Sequence, residues 1–242
     1  TAGGAAARLL AELRAAVVVG CGGMASVPTV WAAWRRGIPI VLMEQNVLPG
    51  RANRWLSRLA ECICLSFEES RRWLPRSVRA IVTGNPVRAA VVRLTDADRA
   101  GGATPATRPT GAPQTLLILG GSLGAVSLNT RVLDALATDI DTWRSWRILH
   151  QTGSGAIESV RTRYRALELE VNLSPFFADL PELMATADIV ITRAGATTLA
   201  ELACLGRPTI AVPWANSADD HQSCNARWYG ERGAVLWASE EA

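Results

Sequence analysis

Lysine is missing from this sequence: every one of its 25 basic residues is an arginine. That excludes a phosphate-loop lysine, a Schiff base and a lysine general base, so any anion must be held by arginine or by backbone N–H groups. Histidine is scarce as well. His150 and His221 are its only two, too few for a histidine-rich metal cluster. The five cysteines (Cys21, Cys62, Cys64, Cys204, Cys224) lack the paired C-x-x-C spacing of a zinc site and read as core thiols in a reducing compartment. No metal is expected. Long apolar runs are absent too, with no stretch of about 18 residues that would cross a bilayer. The net charge of +3 is not a concentrated basic stripe, so nucleic acid is not an expected partner.

What remains is 242 residues, 49% hydrophobic, enough for one large or two modest domains. The opening "TAGGAAARLLAELRAA" is not a secretory signal, because Arg8, Glu12 and Arg14 interrupt its apolar positions. It reads as an amphipathic helix entered midway through a domain.

Short β-branched apolar runs alternate with helical patterns, the signature of parallel strands joined by crossover helices. The first group is "AVVVG", "IPIVLM", "CICLSF" and "RAIVTG". Residues 95–114, rich in Gly, Pro, Thr and Ala, read as a linker. After it come "TLLILG", "WRILHQ", "ELEVNL", "ADIVIT", "PTIAVP" and "GAVLW", about six strands, enough for one doubly wound sheet. The expected division is a short first domain, 1–94, and a fuller second, 115–242.

Ligands of such sheets bind where loops leave the carboxyl ends of the strands. In "GGSLGAVSLN", Gly120, Gly121 and Gly124 let a ligand approach the backbone, and Ser122 adds a hydroxyl. A packing turn is the plainer alternative. In "ITRAGATTLAELACLG", Thr197 and Thr198 stand at a helix start, and Glu201 shares the face of Thr197 one turn on. A carboxylate there suits a ribose diol, and the N–H groups before it suit phosphate; a threonine cap and a solvent-facing Glu explain the same residues without a ligand. "PWANSADDHQSCNA" gathers Asn216, Asp219, Asp220, His221, Gln222 and Asn225, a density that fits sugar hydroxyls, although a helix cap by Asp219 or Asp220 accounts for part of it. His221 reads as a hydrogen-bonding residue rather than a base. Earlier in the chain, Glu44, Gln45 and Asn46 follow a strand directly. Arg88, in "TGNPVR", can reach a phosphate or stack on a base.

Taken together, "GCGGMASVPTVWAAWRRGIPIVLMEQNVLPGRANRWL", "VTGNPVR", "GGSLGAVSLN", "LHQTG", "RAGATTLAELACLGRPTIAVP" and "DDHQSCNA" resemble the MurG family along nearly the whole chain. These are the bacterial transferases that move N-acetylglucosamine from UDP onto the lipid-linked muramyl peptide of peptidoglycan synthesis. The resemblance implies an α/β fold of GT-B type, two Rossmann-like doubly wound domains with the first incomplete, the chain lacking the family's first glycine loop and its final helices. It implies UDP-N-acetylglucosamine as donor, undecaprenyl-linked lipid I as acceptor, no cofactor, and a peripheral place on the cytoplasmic face of the inner membrane. Carried over by position, Asn46 and Arg88 contact the donor from the first domain and Ser122 its phosphate. Ala196, Thr197, Thr198 and Glu201 wrap phosphate and ribose, Gln222 reads the sugar, and Phe177 stands where main chain reads uracil. Asn53 and Asn225 match further polar positions. The catalytic base is left open: Glu44 is the acid that this segment offers, either as base or as a group that orients substrate.

Some positions depart from the pattern: Leu123 stands for a usual Gln, Val126 for an Arg, and Met24 and Met43 for a Tyr and a His. Tryptophan and arginine suit a bilayer surface, and the resemblance implies an interfacial patch at Trp31, Trp34, Arg54 and Arg58, although core tryptophans and solvated arginines explain the same residues. A nucleotide-sugar-binding fragment without turnover is the alternative reading, and a nicotinamide-dependent oxidoreductase is disfavoured because no acidic residue closes "WRILHQ", where ribose would be read.

Overall fold

The computed structural model describes residues 1–100, 111–120, 125–215 and 217–239. They divide into two units, Thr1–Pro86 with Ala218–Asn225, and Val87–Ser217 with Ala226–Ala242.

The first unit runs α1 (Ala2–Glu12), β1 (Val18–Gly20), α2 (Val27–Arg35), β2 (Ile40–Glu44), α3 (Arg51–Leu56), β3 (Cys62–Leu65) and β4 (Ala80–Val82). The four strands are parallel and lie in simple sequence order. Successive right-handed crossovers in one direction put their helices on one face of a sheet. Accordingly Val18, Ile40, Leu42, Ile63 and Leu65 are buried with Leu10, Val30 and Leu56 from the helices. Val19, Val41 and Cys62 are paired neighbours across the strands, as are Met43, Cys64 and Ile81, so all six share the other face. That face is half-buried to exposed, Val19 at 53%. The arrangement is that of one half of a doubly wound sheet.

The second unit continues with α4 (Ala89–Ala100), β5 (Thr115–Leu119), α5 (Val126–Ala137), α6 (Ile140–Trp143), β6 (Arg147–Gln151), α7 (Ile157–Ala166), β7 (Val171–Ser174), α8 (Leu180–Thr186), β8 (Ile189–Thr192), α9 (Ala196–Cys204), β9 (Thr209–Ala211), α10 (His221–Glu231) and β10 (Leu236–Trp237). The first residues of α10 fold with the first unit. The six parallel strands are ordered β10-β9-β8-β5-β6-β7, so the winding reverses between β5 and β8. Strand β5, "TLLIL", is buried throughout. Leu116 and Ile118 enter a core with Leu128, Leu133 and Tyr164. Leu117 and Leu119 enter another with Val91, Met184 and Leu202.

Two expectations are corrected. Residues 95–100 belong to α4 rather than to a linker, because Val91 is fully buried and Thr95 donates to the carbonyls of Val91 and Cys204; residues 101–110 lie outside the described ones. The cysteines are free thiols but not core positions: Cys21 is exposed and the other four are half-buried.

Candidate functional site

At the reversal point of the second sheet, α5 and α9 leave the carboxyl ends of β5 and β8. Helix α9 starts from Gly195 in extended geometry, and no side chain caps its first N–H groups. Orphan donors at the positive end of a helix dipole are the groups that an anion would meet. Thr197 is exposed at this end, Thr198 half-buried and Ala196 buried.

One turn along, Glu201 is only 3% exposed. Burial of a carboxylate demands a partner, and Arg88 supplies one in fork geometry: Nε donates to Oε1 at 2.7 Å, Nη2 to Oε2 at 2.6 Å, and the Arg88 backbone N–H to Oε1 at 3.3 Å. The hydrogen bond to Glu201 raises the Arg88 pKa, against the opposing effect of burial. Arg88 therefore belongs to the second unit, just ahead of α4, and not to the first domain as expected. Three of the roughly four acceptor positions of the carboxylate are filled. Glu201 is neither solvent-facing nor idle.

Sequence reading passed over Arg193, the first residue after β8. Its Nη2 donates to Ser127 Oγ at 2.7 Å, and its Nη1 to the carbonyls of Val212 and Pro213 at 3.1 and 3.3 Å. It ties the first turn of α5 to the end of β9. Its place directly after "IVIT" was the available signal.

Behind the same edge lies a buried polar chain. Asn129 Nδ2 donates to the Thr152 carbonyl, so Asn129 Oδ1 accepts from His150 Nε2, and Tyr164 donates to His150 Nδ1. Burial lowers the His150 pKa to about 4 and raises that of Tyr164. Gly120 is required by this packing, since a Cβ there would stand 2.9 Å from both Asn129 Oδ1 and the Gln151 carbonyl. Gly121, Ser122 and Gly124 lie outside the described residues. Phe177 buries its ring in the core, and its N–H donates to Gln151 Oε1 at 3.1 Å.

A second constellation sits in the first unit. Glu44, at the end of β2, is 3% exposed and accepts four hydrogen bonds: Asn46 N and Nδ2 on Oε1, Gly50 N and Asn53 Nδ2 on Oε2. A carboxylate so fully engaged has no lone pair left for a proton in flight, which argues against Glu44 as base. Asn46 Oδ1 accepts from Asn225 Nδ2, while Asn225 Oδ1 accepts from the Val47 N–H. Asn225 is thus fully buried with both ends committed. His221 Nδ1 donates to the Leu48 carbonyl at 3.0 Å, the hydrogen-bonding role expected of it. Asp219, at φ 53°, accepts from Arg51 at 2.6 Å rather than capping a helix, and this bond holds its pKa below the usual carboxylate range. Gln222 lies in the same Ala218–Asn225 segment. Glu44, Asn46, Arg51, Asn53, Asp219 and His221 are among the residues that line an open cleft of about 470 Å³.

The glycosyltransferase family 28 C-terminal domain model matches residues 115–241, and the family 28 N-terminal domain model matches 1–65. The chain belongs to glycosyltransferase family 28. Among family relatives, a UDP-N-acetylglucosamine–N-acetylmuramyl-(pentapeptide) pyrophosphoryl-undecaprenol N-acetylglucosamine transferase of Rhodospirillum rubrum is 46% identical over 226 residues, 93% of this chain and 56% of that protein. The protein of the same name from Granulibacter bethesdensis is 44% identical over 92% of this chain and 57% of its own length. A crystal structure of Acinetobacter baumannii MurG matches with a TM-score of 0.73 at 31% identity, covering 99% of this chain and 65% of that one. The chain therefore spans a little over half the length of these curated relatives. The family 28 assignment and the two parallel-sheet units agree with the GT-B fold read from the sequence.

Proposed function

We propose that the protein carries the donor site of an inverting N-acetylglucosaminyltransferase that uses UDP-N-acetylglucosamine and delivers the sugar to the muramyl unit of lipid I, giving lipid II. The observation that carries this reading is the buried Glu201, held by Arg88 one turn inside the uncapped start of α9. The α9 N–H groups receive the diphosphate, and Glu201 takes a ribose hydroxyl on its remaining acceptor position. As the acceptor hydroxyl attacks the anomeric carbon and UDP departs, charge developing on the leaving diphosphate meets these fixed dipoles without reorganisation. Ser122 and the main chain at Phe177 complete donor recognition in this reading. With the Phe177 N–H given to Gln151, its carbonyl is the group left for uracil.

Membrane contact is assigned to the first unit. Trp31 stands 5.0 Å from Trp34 and 6.0 Å from Trp55, ring to ring, and all three are substantially exposed. Arg35, Arg36, Arg54 and Arg58 lie on the same short helical segments or just beyond them. Exposed stacked indoles edged by guanidinium groups suit the headgroup layer of an anionic bilayer. No helix among the described residues is long and apolar enough to cross a membrane, and the proposed place is peripheral, on the cytoplasmic face.

The test is calorimetric titration with UDP-N-acetylglucosamine and with NAD, followed by a labelled-sugar transfer assay. Binding of the first and not the second, lost in Glu201→Ala, is expected. Binding without transfer selects a nucleotide-sugar-binding fragment, and preference for NAD overturns the reading.

A further inference from the structure

Strand β3, "CICL", carries two thiols on one face. Cys62 and Cys64 stand two residues apart, so both project to the outward side of the first sheet, and both are half-buried. They are close enough to act on each other: burial and the neighbouring Cys62 thiol raise the pKa of Cys64, against a lowering by the Thr83 hydroxyl. Across the strands Cys64 pairs with Met43 of β2 and Ile81 of β4, and Cys62 pairs with Val41. Two thiols and a thioether therefore share one patch of sheet, and Met43 is half-buried like its neighbours. The paired residues Val41, Met43 and Ile81 bring no carboxylate or imidazole to it.

A direct disulfide does not suit this spacing. Residues two apart on a strand have Cα atoms about 6.6 Å apart and parallel Cβ directions, so their Cβ atoms lie well beyond the roughly 4 Å that a bridge needs. A metal ion between the sulfurs removes that demand, because two thiolate bonds of about 2.3 Å hold the sulfurs up to roughly 4.6 Å apart. The donor set then selects the ion. Structural zinc takes four nitrogen or sulfur ligands, and calcium and magnesium take oxygen, whereas thiolate and thioether are the soft ligands that select Cu(I).

We propose that Cys62 and Cys64, with Met43 as third ligand, form a low-coordinate site for a soft monovalent metal ion of the Cu(I) class. Each thiol releases its proton to solvent as its sulfur becomes a thiolate ligand, and the ion keeps its oxidation state. The missing C-x-x-C spacing that spoke against zinc has no bearing on a site of two or three ligands. Half-burial leaves the ion a way in, while Val41 and Ile81 give the bonds apolar flanks. The site does not depend on the transferase reading.

The test titrates the whole chain, reduced and free of oxygen, with Cu(I) buffered by a chelator of known affinity. Ultraviolet thiolate-to-copper absorption, a count of reactive thiols and the NMR signal of the Met43 methyl group follow the binding. One equivalent should bind, shield two of the five thiols and shift the Met43 methyl. Cys62→Ser and Cys64→Ser should each weaken Cu(I) by about a hundredfold or more, and Met43→Leu, which keeps the bulk without the sulfur, by about tenfold. The triple variant Cys21→Ser, Cys204→Ser, Cys224→Ser should bind as the wild type does, and equimolar Zn(II) should not displace the copper. Equal affinity in Cys62→Ser and Cys64→Ser, or a wild type in which the Met43 methyl stays unmoved and all five thiols stay reactive, overturns the site. The wild-type readings need no substitution, so a variant that fails to fold leaves them decisive.

Discussion

In the second unit, β5 is buried on both faces and its residues divide between two cores, whereas each strand of the first sheet turns one face to a core and the other outward among the described residues. The difference follows from strand order. Winding in both directions creates a reversal point, and there two helices open side by side at the carboxyl edge. The first sheet, wound one way, has no such crevice among its described strands. Its polar cluster is organised instead by a single buried carboxylate. One site is thus made by topology and the other by a side chain.

Substitutions can break this contrast. Leu117→Ala should destabilise the second unit by about 2–5 kcal/mol, while Val19→Ala on the outward face of the first sheet should stay within about 0.5 kcal/mol; denaturant unfolding of each variant measures both. Comparable losses would mean the first sheet is covered on both sides in solution. His150 sharpens the same point through pH. Its folded pKa of about 4 lies below the ordinary 6.5, so the unfolded chain takes up a proton that the native one refuses. Stability should be fully present above pH 6.5 and fall by about 3 kcal/mol on acidification to pH 4, a slope that His150→Gln should remove. Gly120→Ala should lose about 1–3 kcal/mol because backbone must shift to admit the Cβ. The smallest effect belongs to the Arg51–Asp219 pair of the first unit: Arg51→Ala should leave the denaturant midpoint nearly unchanged while letting the Asp219 carboxyl titrate at higher pH by NMR.

The ten strands among the described residues were legible from alternation and β-branched runs, because each is marked by its own short apolar segment. Helix α4 was not. "AAVVRLTDADRA" buries few side chains, and its polar, alanine-rich remainder merges with the Gly- and Pro-rich residues that follow. Glu201 stood out in the sequence as a candidate, but its partner did not, since Arg88 and Glu201 stand 113 positions apart and nothing in either neighbourhood encodes the pairing. The burial of Asn225 is hidden in the same way, because only folding brings it to Asn46 and Val47. The bonding of Glu44 was hidden for a nearer reason. Its four donors all lie within nine residues of it, yet a run of Glu, Gln and Asn after a strand looks the same whether the acid faces a substrate or its own turn.

The most direct test of the reversal-point site is a crystal structure with UDP, paired with UDP affinity in Glu201→Gln. The ribose hydroxyls should lie within hydrogen-bonding distance of Glu201, the diphosphate should meet the first N–H groups of α9, and the variant should bind about tenfold or more weakly. UDP seated away from α9, or an unaltered affinity in Glu201→Gln, would contradict the account.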